Sequence, residues 1–107
     1  MTDYLRVVTA AESREVAHHL ARSAVEARLA AGAQVHGPVT SFFWHNDASG
    51  SGEEWQVTLT TTAERYPALE NHLLAEHSWN NPEISAVPIV RAPQAYFDWL
   101  EKFVTPE

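Results

Sequence analysis

The chain carries 14 acidic against 7 basic side chains in 107 residues, a formal charge of -7, and no run of lysine or arginine. Its long-range field repels phosphate backbones and anionic lipid, which argues against nucleic acid or a membrane as partner. Cysteine is absent, so disulfides, thiolate nucleophiles and sulfur metal ligands are excluded together. With 45% apolar residues, one domain over residues 1–107 can build a core, and the length leaves no room for a second.

Asp3 and the short apolar run ahead of Glu12 fit neither a signal peptide nor a membrane span, so a cytoplasmic chain is expected. Residues 4–9, with Tyr4, Leu5, Val7 and Val8, read as a first strand buried on both faces. Thr9-Ala-Ala-Glu12 has the spacing of a capping box and predicts a helix starting directly after it, with Ser13 and Val16 as the alternative start. Val16, Leu20, Ala24, Ala27 and Ala31 then recur at helical spacing. The plain reading of His18 and His19 is a solvated or rim position, since neighbours in a helix cannot share one metal. Gly32 follows Ala30-Ala31 and suits the residue past the helix end, where positive φ reverses the chain.

Residues 33–45 read as a long strand, bent and edge-like at Gly37-Pro38. The polar, glycine-rich residues 46–52 predict a hairpin loop longer than two residues. Residues 53–62 alternate, with Trp55, Val57 and Leu59 on one face. A second helix starts either at the capping box Thr61-Thr-Ala-Glu64 or near Pro67, and turns Leu69, Leu73, Leu74 and His77 inward. Residues 84–90 give a fourth strand at an edge, because of Pro88. Pro93 opens a last helix with Tyr96, Phe97, Leu100 and Phe103 as its stripe.

The order β-α-β-β-α-β-α is an α+β arrangement, ferredoxin-like βαββαβ with an added C-terminal helix, and predicts helices on one sheet face. Phe42, Trp44, Trp55, Val57 and Leu59 exceed what two small helices cover. The excess predicts that the other face meets further copies in a homo-oligomer.

With these elements placed, the sequence resembles the CutA family of divalent cation tolerance proteins from about Val7 to Leu100. The resemblance is carried by Val8-Thr-Ala10, Glu26-Ala-Arg-Leu-Ala-Ala31, Pro38-Val-Thr-Ser41, Ala63-Glu-Arg-Tyr-Pro-Ala-Leu69, His77 with Pro82-Glu-Ile84, and Tyr96-Phe-Asp-Trp99. It implies a tight trimer similar to the PII signalling proteins, with clefts between subunits, and a link to Cu2+ or another divalent cation. The residues implied for the inter-subunit cleft are Gly32, Gln34, Thr60, Trp79 and Tyr96. Gly32 stands where the family often has its copper-linked cysteine, and Thr60 where it has a lysine, so the cleft reads as short of a cation.

The ligands that remain are imidazole and carboxylate. His77, Glu83 and His36 lie at or next to the family's cleft positions and suit Cu(II), Zn(II) or Ni(II). No H-x-x-x-H or H-E-x-x-H occurs, and a histidine closing a helical stripe is also the usual place for a hydrogen-bonded structural residue. Nothing has the form of a nucleophile elbow, a phosphate loop or a Ser-His-Asp order, so no enzyme is expected. Trp79 reads as a plug in a subunit interface, with a lid over a ligand cleft as the alternative. Two functions follow: a divalent metal tolerance protein with an altered site, or a PII-like trimeric sensor or scaffold for a small molecule or protein partner.

Overall fold

A computed structural model describes residues 3–106. Its strands are β1 (Tyr4–Ala11), β2 (Gly32–His45), β3 (Ala48–Thr62) and β4 (Ile84–Pro88), and its helices are α1 (Arg14–Glu26), α2 (Tyr66–Glu76) and α3 (Gln94–Val104). All neighbouring strands are antiparallel, in the order β2-β3-β1-β4. The α+β order expected from the sequence is therefore present, and both strands that contain proline lie at edges, where a missing N–H costs no ladder bond.

The start of α1 differs from the capping-box expectation. β1 keeps pairing with β3 through Ala11, opposite Trp55, so the backbone of Thr9 belongs to the sheet and cannot open a helix. Ser13 caps α1 instead, in extended conformation, its hydroxyl accepting from the Val16 N–H at 3.1 Å. Thr9 is fully buried with an unpartnered hydroxyl. The end of α1 differs too. Arg28, at φ 60°, makes the reversal, with its N–H bonded to the Val25 carbonyl and the Leu29 N–H to that of Ala24, both at 3.0 Å. These two bonds form a Schellman motif with arginine in the place usually held by glycine. Gly32 has no positive φ and opens β2.

α1 and α2 pack on the face of the sheet that carries Val7, Val57 and Leu59. Together with Ala17, Leu20, Ala24, Leu69 and Leu73 these residues form the core. Alanines on α1 let the helix approach the sheet closely. His19 bonds Glu76 at 2.7 Å and Ser23 bonds His72 at 2.8 Å, joining the two helices along their outer rim. α2 starts beside Pro67, not at Thr61, which is buried with its hydroxyl donated to the Leu29 carbonyl. Leu74 is exposed, so the inward stripe of α2 is narrower than expected.

α3 does not join this layer. Tyr4 stacks on Phe97 with ring centroids 4.0 Å apart, and Tyr4 pairs with Thr62 on the opposite sheet face from Val7 and Leu59. The second face is thus partly covered by the chain itself, with Leu100 and Val104 buried beneath α3.

The hairpin is longer and tighter-turned than expected. Asn46 and Asp47 both take positive φ, 51° and 64°, which is the two-residue type I′ turn, tolerated by short polar side chains. Residues 48–52 are strand, not loop. They set Ser49, Gly50 and Ser51 opposite Trp44, Phe43 and Phe42, so aromatic rings lie across small residues. Between His36 and Val39 the register shifts by one extra residue on β2, at Gly37-Pro38. That bulge reverses the alternation, and beyond it Phe42 and Trp44 share the face of Val57 and Leu59. They lie past the reach of α1 and α2, at 81% and 78% exposure. The apolar excess therefore sits not on the opposite sheet face, as expected from the sequence, but on the projecting hairpin of the helix-bearing face, along the 44 Å long axis of the molecule.

Candidate functional site: two clefts and a histidine clamp

α2 delivers His77 as its C-terminal cap, with the backbone N–H bonded to the Leu73 carbonyl at 2.9 Å. The side chain is buried. Nε2 lies 2.7 Å from the Ala10 carbonyl, and the Trp79 N–H donates to Nδ1 at 3.0 Å. A carbonyl only accepts and an amide N–H only donates, so the ring is the neutral Nε2–H tautomer with both nitrogens in use. His77 is a clamp between β1 and the loop before β4, and it offers no lone pair to a metal. Ser78 extends the clamp by reaching the Glu12 carboxylate at 2.7 and 2.9 Å. That hydroxyl, and after it the backbone N–H of Glu12, hold the carboxyl below the ordinary glutamate range against the opposing effect of burial.

The other two expected ligands lie far from each other. His36 is exposed on the β2 edge and bonded to Gln56 at 2.7 Å. Glu83 immediately precedes β4 at the other edge and accepts from Ser85 at 2.9 Å. Three strand spacings, about 14 Å, separate the two edges. His77, Glu83 and His36 therefore do not converge within one chain, and among the described residues no group of three His, Cys, Asp or Glu could hold an ion. A copper or other divalent centre built from that triad does not fit a single chain.

The five cleft residues divide between two depressions. Trp79 is half-buried, its ring tilted against the His77 imidazole at 5.1 Å. With Phe43, Trp44, His45, Glu54 and Asn81 it lines an opening of about 720 Å³ between the hairpin and the loop before β4. Gly32, Gln34, Thr60 and Tyr96 come together elsewhere, around a cleft of about 300 Å³ where α3 crosses the second sheet face. There the rings of Tyr96 and Trp99 stand 5.8 Å apart. A Cβ at Gly32 would lie in van der Waals contact with Trp99 at 3.4 Å, so the indole lies directly over the start of β2.

Sequence reasoning missed Arg6. It pairs directly with Thr60 across β1 and β3 and lines the same cleft, so the cation counted as lost at Thr60 stands one strand away. The signal was the two-residue period of β1. Tyr4, Arg6 and Val8 alternate with Leu5, Val7 and Thr9, and a strand read as buried on both faces hides that alternation.

The profile of the family described as CutA1 divalent ion tolerance protein matches residues 5–103. The chain belongs to the CutA1 divalent ion tolerance family. Among CutA relatives, the divalent-cation tolerance protein of Thermus thermophilus is 32% identical over 96 residues, covering 90% of this chain and 93% of the relative. That of Archaeoglobus fulgidus is 31% identical over 94 residues, covering 88% and 91%. The solved Thermus thermophilus CutA1 structure superposes with a TM-score of 0.92 at 30% identity, over 95% of this chain and 99% of that one. The CutA fold is thus shared by this chain and that structure. Among the described residues no helix is long and apolar enough to cross a membrane.

Proposed function

We propose that the protein serves divalent-cation tolerance as a homotrimer, by binding rather than catalysis, and that any ion is held by donors from more than one copy. The observation that carries this reading is the hairpin, which leaves Phe42 and Trp44 almost wholly exposed; apolar surface of this kind on a soluble chain marks an interface. Val87 and Val90, exposed by the β4 edge, supply a second apolar surface. A closed ring of identical copies joins unlike surfaces, and it sets a β2 edge bearing His36 against a β4 edge preceded by Glu83. In this reading those two are the nitrogen and oxygen donors for Cu(II) or another divalent cation, and His77 is their structural support. Imidazole must lose its proton to bind, so affinity should fall as the solution is acidified. Calorimetric titration of Cu(II) checks it: His36→Ala and Glu83→Ala should each weaken binding, and His77→Ala should spare it while lowering Tm. Binding unchanged in both of the first two variants would exclude this donor pair.

A second reading is favoured by the smaller cleft, whose aromatic wall and single cation suit a small molecule better than a metal. On that reading the protein is a trimeric sensor without metal, and a thermal-shift screen of metabolites run beside the Cu(II) titration separates the two.

A further inference from the structure

The cleft beneath α3 is unlike the rest of the surface in charge. The chain has twice as many acids as bases, 14 against 7, yet among the described residues no carboxylate lines this cleft and Arg6 is its one charged group. Among the described residues the Arg6 side chain has no ion pair and no hydrogen bond, and no ring lies beneath its guanidinium. Around it stand the hydroxyls of Thr58 and Thr60 and the amide of Gln34, which are neutral donors, and the rings of Tyr96 and Trp99 form one wall. A guanidinium offers a planar fork of donors that matches a carboxylate with two parallel bonds. The aromatic pair offers a flat apolar surface to whatever the carboxylate is attached to.

We propose that this cleft is a binding site for a small aromatic monocarboxylate, with Arg6 taking the carboxylate and the Tyr96 and Trp99 rings taking the ring of the ligand. The inference rests on the reading of the cleft as a small-molecule site and adds the chemical class. One cation decides between anions. Within one chain a monocarboxylate is neutralised by Arg6 alone, while a phosphate monoester or nucleotide brings two or more charges and leaves the excess facing a chain of formal charge -7, with no second base among the described residues of the lining. The volume, about 300 Å³, lies at the small end of ligand pockets and suits one ring with its substituent.

The test uses the full chain, with benzoate as probe, benzamide as its neutral isostere and inorganic phosphate as the competing anion, each titrated by calorimetry into the parent and into Arg6→Gln. Arg6 is exposed, so the variant should keep its fold, which the parent's Tm and sedimentation mass verify. Benzoate should bind the parent, benzamide and phosphate should not, and Arg6→Gln should weaken benzoate about tenfold to a hundredfold. Benzamide binding as well as benzoate, or benzoate binding unchanged in Arg6→Gln, would overturn the assignment while leaving a small-molecule cleft in place. No response to any probe at about 10 mM, together with no hit in the metabolite screen, would overturn both. An Arg6→Gln chain that loses its assembly and not just its ligand would also refute it, since Arg6 would then be pairing with an acid of a second copy.

Discussion

At one end of the long axis the sheet is covered by α1 and α2 and fills a core with Val7, Leu20, Val57, Leu59, Leu69 and Leu73, all fully buried. At the other end the same sheet face continues along the hairpin with no helix over it, and Phe42 and Trp44 are exposed. The two ends share β2 and β3, so the difference is not one of strand propensity but of whether a helix reaches far enough. The first end has the means to fold on its own contacts. The second has no helix over it among the described residues, and the proposed trimer would supply its cover.

The sharpest contrast comes from the core end. Leu20→Ala removes a fully buried side chain from the contact of α1 with the sheet and should cost about 2–5 kcal/mol, with Tm falling at every protein concentration. If the two ends are as independent as their packing implies, that variant should keep the subunit mass of the parent under conditions where it is folded. A loss of assembly at a temperature where the chain is still folded would break the comparison.

Gly37, at the bulge where the two ends meet, gives the next effect. A Cβ there would lie 2.8 Å from the Trp55 ring and 3.0 Å from the Glu54 carbonyl. Trp55 packs against the core and cannot swing aside freely, so Gly37→Ala should destabilise by about 1–3 kcal/mol, the range for overpacking. Thermal unfolding of Gly37→Ala beside Gly50→Ala checks it. Gly50 has nothing within 4 Å of an added Cβ, and equal losses in the two variants would contradict the steric account.

The smallest effect is an acid-limb one at the clamp. Ser78 keeps the Glu12 carboxyl ionised below its usual range. A depressed folded pKa contributes stability that is present above the unfolded value and is lost as pH falls through the folded one. Parent Tm should therefore drop more steeply than that of Ser78→Ala between about pH 5 and pH 3. Parallel profiles would remove Ser78 as the cause.

Much of the covered end was legible in the sequence because its signals are local. Pro67 and Pro93 mark helix starts whichever neighbours they have, and the alternation of Val57 and Leu59 places the sheet face. The misreadings arose where a tertiary contact outweighs a local motif. Thr9 has the spacing of a cap, but pairing of β1 with β3 through Ala11 claims its backbone. Ser49, Gly50 and Ser51 look like a loop until the aromatic residues across the hairpin give them partners. The site divided in the same way. Gly32, Gln34, Thr60 and Tyr96 share one cleft, and Trp79 lies with the hairpin. Arg6 was hidden, because nothing in a short strand says which face α3 will later cross.

The central claim, that the uncovered hairpin is completed by further copies, is tested most directly by sedimentation of the parent and Trp44→Glu at micromolar concentration. The parent should have the mass of three chains, and the variant, which places a charge in the proposed interface, should sediment as a folded single chain with the parent's helix content. A parent that sediments as a single chain, or a Trp44→Glu variant that stays a trimer, would contradict it.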